Sequence, residues 1–220
     1  MIQKIVTAGC SFTYGEELDD LTQCWPQQLA NKLKCDNLVN LAEPAASNDK
    51  MVRKIIDHLS ANSADLVVIG WSMPGRSEYA DEFGYYDVWP GYSGKLFVKD
   101  GTEWRKELVD YFNRYHNSEA IHRKWMHQVL MMQGLLNDMG IKYIMLSVVQ
   151  NDYYKKRIFE NYELLVDKVN KERFIDFGIS GMLEWTHGVP QGKGGHFLVE
   201  GHQIVANRVY EHIRNLGWLS

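Results

Sequence analysis

QKIVTAGCS, residues 3–11, predicts a short buried strand over Gln3 to Ala8 that ends at Gly9-Cys10-Ser11. A serine placed directly after a buried strand and a glycine can expose its hydroxyl at the edge of a sheet, while the next amides point toward a substrate oxygen. The same pattern also makes ordinary turns and helix caps. Ser11 is therefore a candidate nucleophile whose role depends on support from elsewhere in the chain.

Strand-like and helix-like runs alternate along the rest of the sequence. Asp65 to Trp71 is a continuous apolar run, which is typical of a strand covered on both faces. The other predicted strands are Asn37 to Ala42, Lys142 to Val149 and Arg173 to Phe177. The predicted helices are Trp25 to Lys34, Ile121 to Met139, Tyr154 to Lys171 and Val199 to Leu216, together with a helix that Ser47 or Asn48 caps. Gly140 ends the helix over Ile121 to Met139. This alternation predicts a flavodoxin-like three-layer α/β/α sandwich around a mostly parallel five-stranded sheet.

The pattern changes between Met73 and about Tyr115 to an aromatic and glycine-rich stretch, which we interpret as an insertion (about 73–115) within a single domain of residues 1–220. Asp100-Gly101 predicts a hairpin turn there, between Lys95–Lys99 and Thr102–Arg105. The aromatic faces either stack on the sugar rings of a ligand or form a small core of the insertion's own. The candidate substrate-cleft residues are Trp71, Arg76, Tyr79, Trp89 and Tyr92.

The composition argues against several functional classes. The 24 Lys and Arg residues are outnumbered by 28 Asp and Glu, so no excess of positive charge is available for nucleic acid or an acidic membrane. The longest apolar runs have only strand length, and the first residues lack the features of a signal peptide, which predicts a cytoplasmic protein without a membrane span. Three cysteines without C-x-x-C spacing predict free thiols, and we expect no metal or cofactor.

A histidine near the far end of the chain is a candidate general base. Gly194-Gly195-His196-Phe197 predicts a flexible loop before the last helix, and the last loop of such a sheet commonly lies beside the end of the first strand. A base needs to come within about 2.6 to 3.2 Å of the serine hydroxyl. His187 is a less favoured base, and His202 is expected to pack or hydrogen-bond at the start of the last helix.

Four sequence blocks resemble the motifs of the SGNH (GDSL-like) hydrolases, in the order of that family and across nearly the whole chain. The blocks are residues 8–15 (AGCSFTYG), 40–48 (NLA followed by AASN), 68–72 (VIGWS) and 195–202 (GH followed by GH). The Gly-Cys-Ser-Phe-Thr form, with Trp-Ser in the third block, looks most like the bacteriophage and bacterial branch of uncertain substrate.

The resemblance implies a serine esterase or deacylase that acts on a small-molecule or carbohydrate ester, with Ser11 as nucleophile and His196 as base. It assigns the oxyanion hole to the Ser11 amide, the amide of Ala45 or Ala46, and a side chain of the third block. Ser72 stands where the family usually has asparagine, and Asn48 is a candidate substitute. Losing one such donor lowers the rate by about 10² to 10³.

One departure from the family pattern concerns the acid partner of the histidine. The family places an aspartate three residues before it, and this chain has Lys193, which cannot orient a neutral imidazole. The nearby candidates for a substitute acid are Glu184, Asp176 and Glu200. Otherwise a backbone carbonyl orients the histidine, or the site works as a Ser-His dyad, or the protein is a catalytically weak or inactive SGNH-fold module that binds a glycan or associates with a virion.

Overall fold

The computed structural model describes residues 2–82, 84–88, 114, 118–149 and 162–219. Its strands, in chain order, are β1 (Lys4–Gly9), β2 (Asn37–Asn40), β3 (Leu66–Trp71), β4 (Ser77–Asp81), β5 (Gly84–Val88) and β6 (Lys142–Ser147). Four of them form a parallel sheet in the order β2-β1-β3-β6, and β4 pairs with β5 in a separate antiparallel sheet. The parallel sheet confirms the predicted α/β class.

Helices and a short 3₁₀ turn connect the strands. They are α1 (Ser11–Tyr14), the turn Leu21–Gln23, α2 (Trp25–Leu33), α3 (Asn48–Ala61), α4 (Ser118–Asp138), α5 (Tyr162–Val166), α6 (Met182–Trp185) and α7 (Val199–Asn215). Helix α2 packs against α7, and α3 packs against α4 and β1. All six residues of β3 are buried, so helices or loops cover both faces of the sheet, as its uninterrupted apolar sequence predicts.

The predicted fifth strand, Arg173 to Phe177, is reduced to a single bridge between Met145 and Phe174. Met145 N donates to the Arg173 carbonyl at 2.7 Å, and Ile175 N donates to the Met145 carbonyl at 2.8 Å. The extended run stops there because Asp176 has a left-handed φ of 50°. The prediction of a five-stranded sheet is therefore corrected to four described strands and one bridge.

Most other predicted boundaries agree with the structure to within three residues, but α5 ends at Val166, five residues before the predicted end at Lys171. Ser47 caps α3, because its hydroxyl accepts a hydrogen bond from Lys50 N at 3.2 Å, and Gly140 follows the end of α4 with a φ of 67°. The hairpin around Asp100-Gly101 and the start of the helix predicted from Tyr154 lie outside the described residues. None of the described helices combines the length and the apolar character that crossing a membrane requires.

His202 is a buried structural residue, as predicted. Its Nδ1 accepts a hydrogen bond from Trp25 N at 3.1 Å, so an imidazole on α7 caps the first turn of α2. Burial, with the neighbouring His196 as a second cause, lowers the pKa of His202 to about 4. The neutral ring therefore joins α7 to α2 through this hydrogen bond.

We expect acid to weaken this contact. As the pH falls from about 6.5 to about 4, the unfolded chain binds a proton at His202 that the folded chain does not accept. The free energy of unfolding should therefore fall across this window, and His202 should account for up to about 3 kcal/mol of the loss. Urea unfolding of the wild type and of His202→Asn between pH 7 and pH 4 measures this share, and two parallel pH profiles would contradict it.

Candidate active site

The loops that carry the candidate residues leave the same edge of the sheet. Gly9 at the end of β1 pairs in register with Gly70 of β3, so the loops after these two strands are neighbours. Glu43 N donates to the Gly9 carbonyl at 3.3 Å, which brings the loop after β2 to the same place. Asn40 Nδ2 also donates to the Thr13 carbonyl at 3.4 Å, and this bond ties that loop to α1.

Ser11 is the first residue of α1, directly beyond β1. The turn is tight because Thr13 N and Tyr14 N both donate to the Cys10 carbonyl at 2.9 Å. The buried Thr13 side chain fills the space above the paired glycines. A Cβ at Gly9 would lie 2.0 Å from Thr13 Oγ1, and one at Gly70 would lie 2.7 Å from it. These glycines therefore let α1 start close to the sheet, and Ser11 in its first turn is largely buried, with 6% of its surface exposed.

His196 lies in a compact loop that packs against the Ser11 turn. Gln191 and Phe197 form an antiparallel bridge, and Gly192 N donates to the His196 carbonyl at 2.9 Å. The His196 ring lies 4.7 Å from the ring of Phe12, the residue after Ser11. The structure thus brings the first and last sequence blocks together, as predicted.

A residue that the sequence analysis missed, Glu17, contacts this histidine. Its Oε2 lies 2.9 Å from His196 Nδ1 and accepts a hydrogen bond from His196 N at 3.1 Å, while Oε1 accepts one from Gly194 N at 2.6 Å. The Gly194 hydrogen bond, followed by the one from the His196 side chain, lowers the pKa of Glu17. Because a carboxylate only accepts hydrogen bonds, Nδ1 carries the proton and Nε2 is the ring nitrogen left to act as a base.

The three acids predicted as partners of His196 have other roles in the structure. Glu184 accepts a hydrogen bond from Gly181 N at 2.7 Å at the start of α6, and Asp176 pairs with Arg208 at 2.7 Å. Glu200 is exposed in the first turn of α7. These three acids are near His196 in the sequence, but the carboxylate that contacts His196 belongs to Glu17, 179 residues earlier in the chain. Lys193 and the alternative base His187 are exposed.

Ala45 and Ala46, the candidate amide donors, lie in the turn before α3. Ala46 N donates to the Glu43 carbonyl at 3.2 Å, so this amide is already used within the turn. The Ala45 amide makes no hydrogen bond within the described part of the chain. Ala45 has a φ of 62°, a left-handed conformation in which glycine is the usual residue. Between the two candidates, the structure leaves the amide of Ala45 available.

Asn48 and Ser72 are joined by a reciprocal pair of hydrogen bonds. Ser72 N donates to Asn48 Oδ1 at 2.9 Å, and Asn48 Nδ2 donates to the Ser72 carbonyl at 3.2 Å. Both residues are buried, and the Ser72 hydroxyl has no hydrogen-bond partner among the residues that the structure describes. Asn48 is therefore held by the backbone of Ser72, which links the second block to the third.

The β4–β5 hairpin, which the sequence did not predict, contacts the turn before α3 and stabilises it. Asp87 of β5 accepts a hydrogen bond from Ser47 N at 2.9 Å and pairs with Lys50 at 2.7 Å. Lys50 also pairs with Glu43 at 2.8 Å. Although burial opposes the charge on Glu43, its hydrogen bonds with Lys50 and Lys54 lower its pKa to about 2. The described part of the insertion is thus attached by charged contacts to the turn that contains Ala45.

The predicted cleft residues divide into three groups. Trp71 is fully buried and packs edge-on against Trp125 at 6.3 Å, so it belongs to the core and its assignment to a substrate cleft was wrong. It is the last residue of a strand that is covered on both faces. Arg76 and Tyr79 are half-buried beside or within β4, and Trp89 and Tyr92 lie outside the described residues.

The fold is that of the SGNH (GDSL) hydrolases. It is similar to the structure of a protein named TesA (16% identity, 97% of this chain and 99% of that chain covered, TM-score 0.59). It is also similar to the psychrotrophic esterase EstA from Pseudoalteromonas sp., in a structure inhibited by monoethylphosphonate (12% identity, 97% and 98% covered, TM-score 0.57). A third similar structure is a lipolytic protein of the G-D-S-L family from Desulfitobacterium hafniense DCB-2 (13% identity, 96% and 99% covered, TM-score 0.51).

Similarity at the level of sequence is narrower. Residues 15–220 match the model of a family of unknown function, DUF6071. No curated protein matches the chain. Because the identities to the solved structures are 16% or lower, these comparisons establish the fold, and the chemistry has to be argued from the site.

Proposed function

Since this chain belongs to the DUF6071 family of unknown function and has the fold of the SGNH hydrolases, we propose that it is a serine esterase or deacylase. Ser11 is the nucleophile and His196 the general base. The observation that carries the proposal is the position of His196, which packs against the residue after Ser11 and has its Nδ1 bonded to a carboxylate. An imidazole held in this way presents Nε2 as a base.

The proposed reaction follows the order of serine hydrolase chemistry. His196 Nε2 takes the proton of the Ser11 hydroxyl while Oγ attacks the carbonyl carbon of the ester, which forms a tetrahedral oxyanion. The amides of Ser11 and Ala45 stabilise that oxyanion. The imidazolium then gives the proton to the leaving alcohol, and the acyl group stays on Ser11. In the second half of the reaction, His196 takes a proton from water, the water attacks the acyl carbon, and the proton returns to Ser11 Oγ as the acid leaves.

We infer that the substrate is an ester of a small molecule or of a carbohydrate. The aromatic composition of residues 73–115 favours an acylated sugar, because Tyr and Trp faces pack on the apolar faces of sugar rings while their polar edges remain available for hydrogen bonds. The described members of this set include the half-buried Tyr79 and the exposed Tyr85. The rival proposal, a non-catalytic glycan-binding module, would use the same aromatic residues without Ser11.

Hydrolysis of p-nitrophenyl acetate tests the assignment of Ser11. We expect the wild type to hydrolyse this ester and Ser11→Ala to retain no more than about 10⁻³ to 10⁻⁴ of the enzymatic rate, because the nucleophile is gone. Ser60→Ala is the matched control, since Ser60 is exposed on α3 and its hydroxyl donates to the Asp57 carbonyl. An unchanged rate in Ser11→Ala would reject the assignment, and an inactive wild type that binds an oligosaccharide would favour the rival.

A further inference from the structure

We propose that Glu17 takes the role of the acid that orients the catalytic histidine, so that the loop carrying the nucleophile also supplies the partner of the base. This inference rests on the proposed function, because it concerns the same site. It places the acid 179 residues before His196 in sequence, whereas the chain has Lys193 at the position that the resemblance predicts. Glu17 acts through His196 and is therefore a positioning residue.

The hydrogen bonds of Glu17 fit the role of an acid that orients His196, because both carboxylate oxygens are engaged by the histidine loop. The carboxylate accepts from His196 Nδ1, from His196 N and from Gly194 N, at 2.9, 3.1 and 2.6 Å. One side chain thus fixes the imidazole ring and also the backbone on which the ring is mounted. The side chain of Glu17 is 22% exposed and that of His196 is 18% exposed, so the pair lies at the rim of the site and is partly shielded from water.

An amide could not make the same set of bonds. Oε1 and Oε2 both receive N–H donors, so an NH₂ group at either position would face a donor. If the NH₂ replaced Oε2, Nδ1 could meet it only as an acceptor, the proton would move to Nε2, and the ring would have the wrong tautomer for taking the proton of Ser11. If the NH₂ replaced Oε1, it would face Gly194 N, and the imidazolium formed in the reaction would lose the negative charge that stabilises it.

Two glycines in the histidine loop make room for the carboxylate. A Cβ at Gly192 would lie 2.5 Å from the carboxyl carbon of Glu17 and 2.6 Å from Oε1, and one at Gly194 would lie 3.0 Å from Oε2. Gly192 has an ordinary φ, so a side chain there would be opposed by Glu17, whose carboxylate would have to move away from its present place. The sequence on both sides of Lys193 is therefore fitted to an acid that arrives from another loop.

The backbone of Glu17 supports the same conclusion. Its φ of 68° lies in the left-handed region, where a residue with a Cβ is strained. Such strain persists where surrounding contacts hold the residue, and it is frequent at functional sites. Here the holding contacts are the three bonds to the histidine loop.

Kinetics and NMR of Glu17→Gln test the proposal. We expect kcat for p-nitrophenyl acetate to fall by about 10²- to 10⁴-fold with KM changed less than about threefold, because the altered imidazole is a poorer base while the binding surface remains. In the wild type, the proton on His196 Nδ1 should give a strongly downfield ¹H resonance that is absent from Glu17→Gln. Glu16→Gln is the matched control, since no hydrogen bond or ion pair joins the Glu16 side chain to His196 among the described residues, and it should retain both the rate and the resonance.

Gly192→Ala provides a second, independent disturbance. The new methyl group displaces the carboxylate from His196 without removing it, so kcat and the downfield resonance should both decrease. Gly134→Ala, where a Cβ would meet nothing within 4 Å on α4, should leave both unchanged. Circular dichroism of each variant checks that the fold is retained.

The outcomes separate this proposal from the one on which it rests. A wild type that hydrolyses the ester while Glu17→Gln keeps its kcat within about threefold overturns the role of Glu17 and leaves Ser11 and His196 in place. A wild type without the downfield resonance also overturns it, whatever its activity. A wild type that shows the resonance but neither hydrolyses esters nor reacts with a fluorophosphonate contradicts the proposed function instead.

Discussion

Replacing His196 with alanine is expected to lower kcat/KM for p-nitrophenyl acetate by about 10⁴-fold or more. The Ser11 hydroxyl is a weak nucleophile at neutral pH, and in this account no other group removes its proton. His196 is the ring that packs against Phe12, and its Nδ1 is engaged by Glu17, so its loss removes the base and leaves that carboxylate without its imidazole partner. Steady-state kinetics at pH 7 to 8 measure the effect.

His187→Ala is the control for this experiment. His187 is the other histidine considered as a base from the sequence, and it is exposed just beyond α6. Its replacement should change kcat/KM less than about twofold, within the range of a neutral surface substitution. If His187→Ala abolished hydrolysis and His196→Ala did not, the two residues would have to exchange roles and the proposed site would be wrong.

Gly9→Ala is expected to destabilise the protein by about 3 kcal/mol or more, or to prevent folding. The added methyl would lie 2.0 Å from Oγ1 and 2.4 Å from Cβ of Thr13, which is fully buried between the sheet and α1. Thr13 cannot rotate away, because even its Cβ is too close. Relief would require α1 to move off the sheet and would carry Ser11 with it. Urea unfolding measures the loss of stability.

Gly134→Ala makes the same chemical change with the opposite expectation. Gly134 lies inside α4, where a Cβ would meet nothing within 4 Å, so alanine should stabilise the helix by up to about 1 kcal/mol. Equal effects of the two substitutions would show that the contact with Thr13 does not control the first turn. A Gly9→Ala protein as stable as the wild type would contradict the packing argument directly.

The sequence predicted the fold because the signals for it are local. The apolar runs that became β1 and β3 were recognisable from the sequence alone, and Gly9-Cys10-Ser11 located the edge of the sheet. The prediction of a fifth strand was wrong for a reason that is also local but is harder to recognise in the sequence. Arg173 to Phe177 has the composition of a strand, yet Asp176 turns the backbone after a single bridge to Met145.

The acid partner could not be predicted from local signals. Glu17 meets His196 only because the first and last loops of the sheet are neighbours in space, and a backbone at positive φ aims its side chain there. The sequence contains one indication that an acid from another loop lies beside His196. Gly192 and Gly194 on either side of Lys193 leave the space that a carboxylate occupies, although the sequence does not say which carboxylate. The hairpin contact between Asp87 and Ser47 is another pairing that spacing in sequence does not reveal.

Labelling with a fluorophosphonate shows whether Ser11 and His196 form one hydrolytic site. Mass spectrometry of the intact protein, followed by peptide mapping, identifies the modified residue in the wild type and in His196→Ala. We expect a single adduct on Ser11 in the wild type and none in His196→Ala under the same conditions, since the serine must be activated by the imidazole. An adduct on another residue, or equal labelling of Ser11 with and without His196, would contradict this assignment.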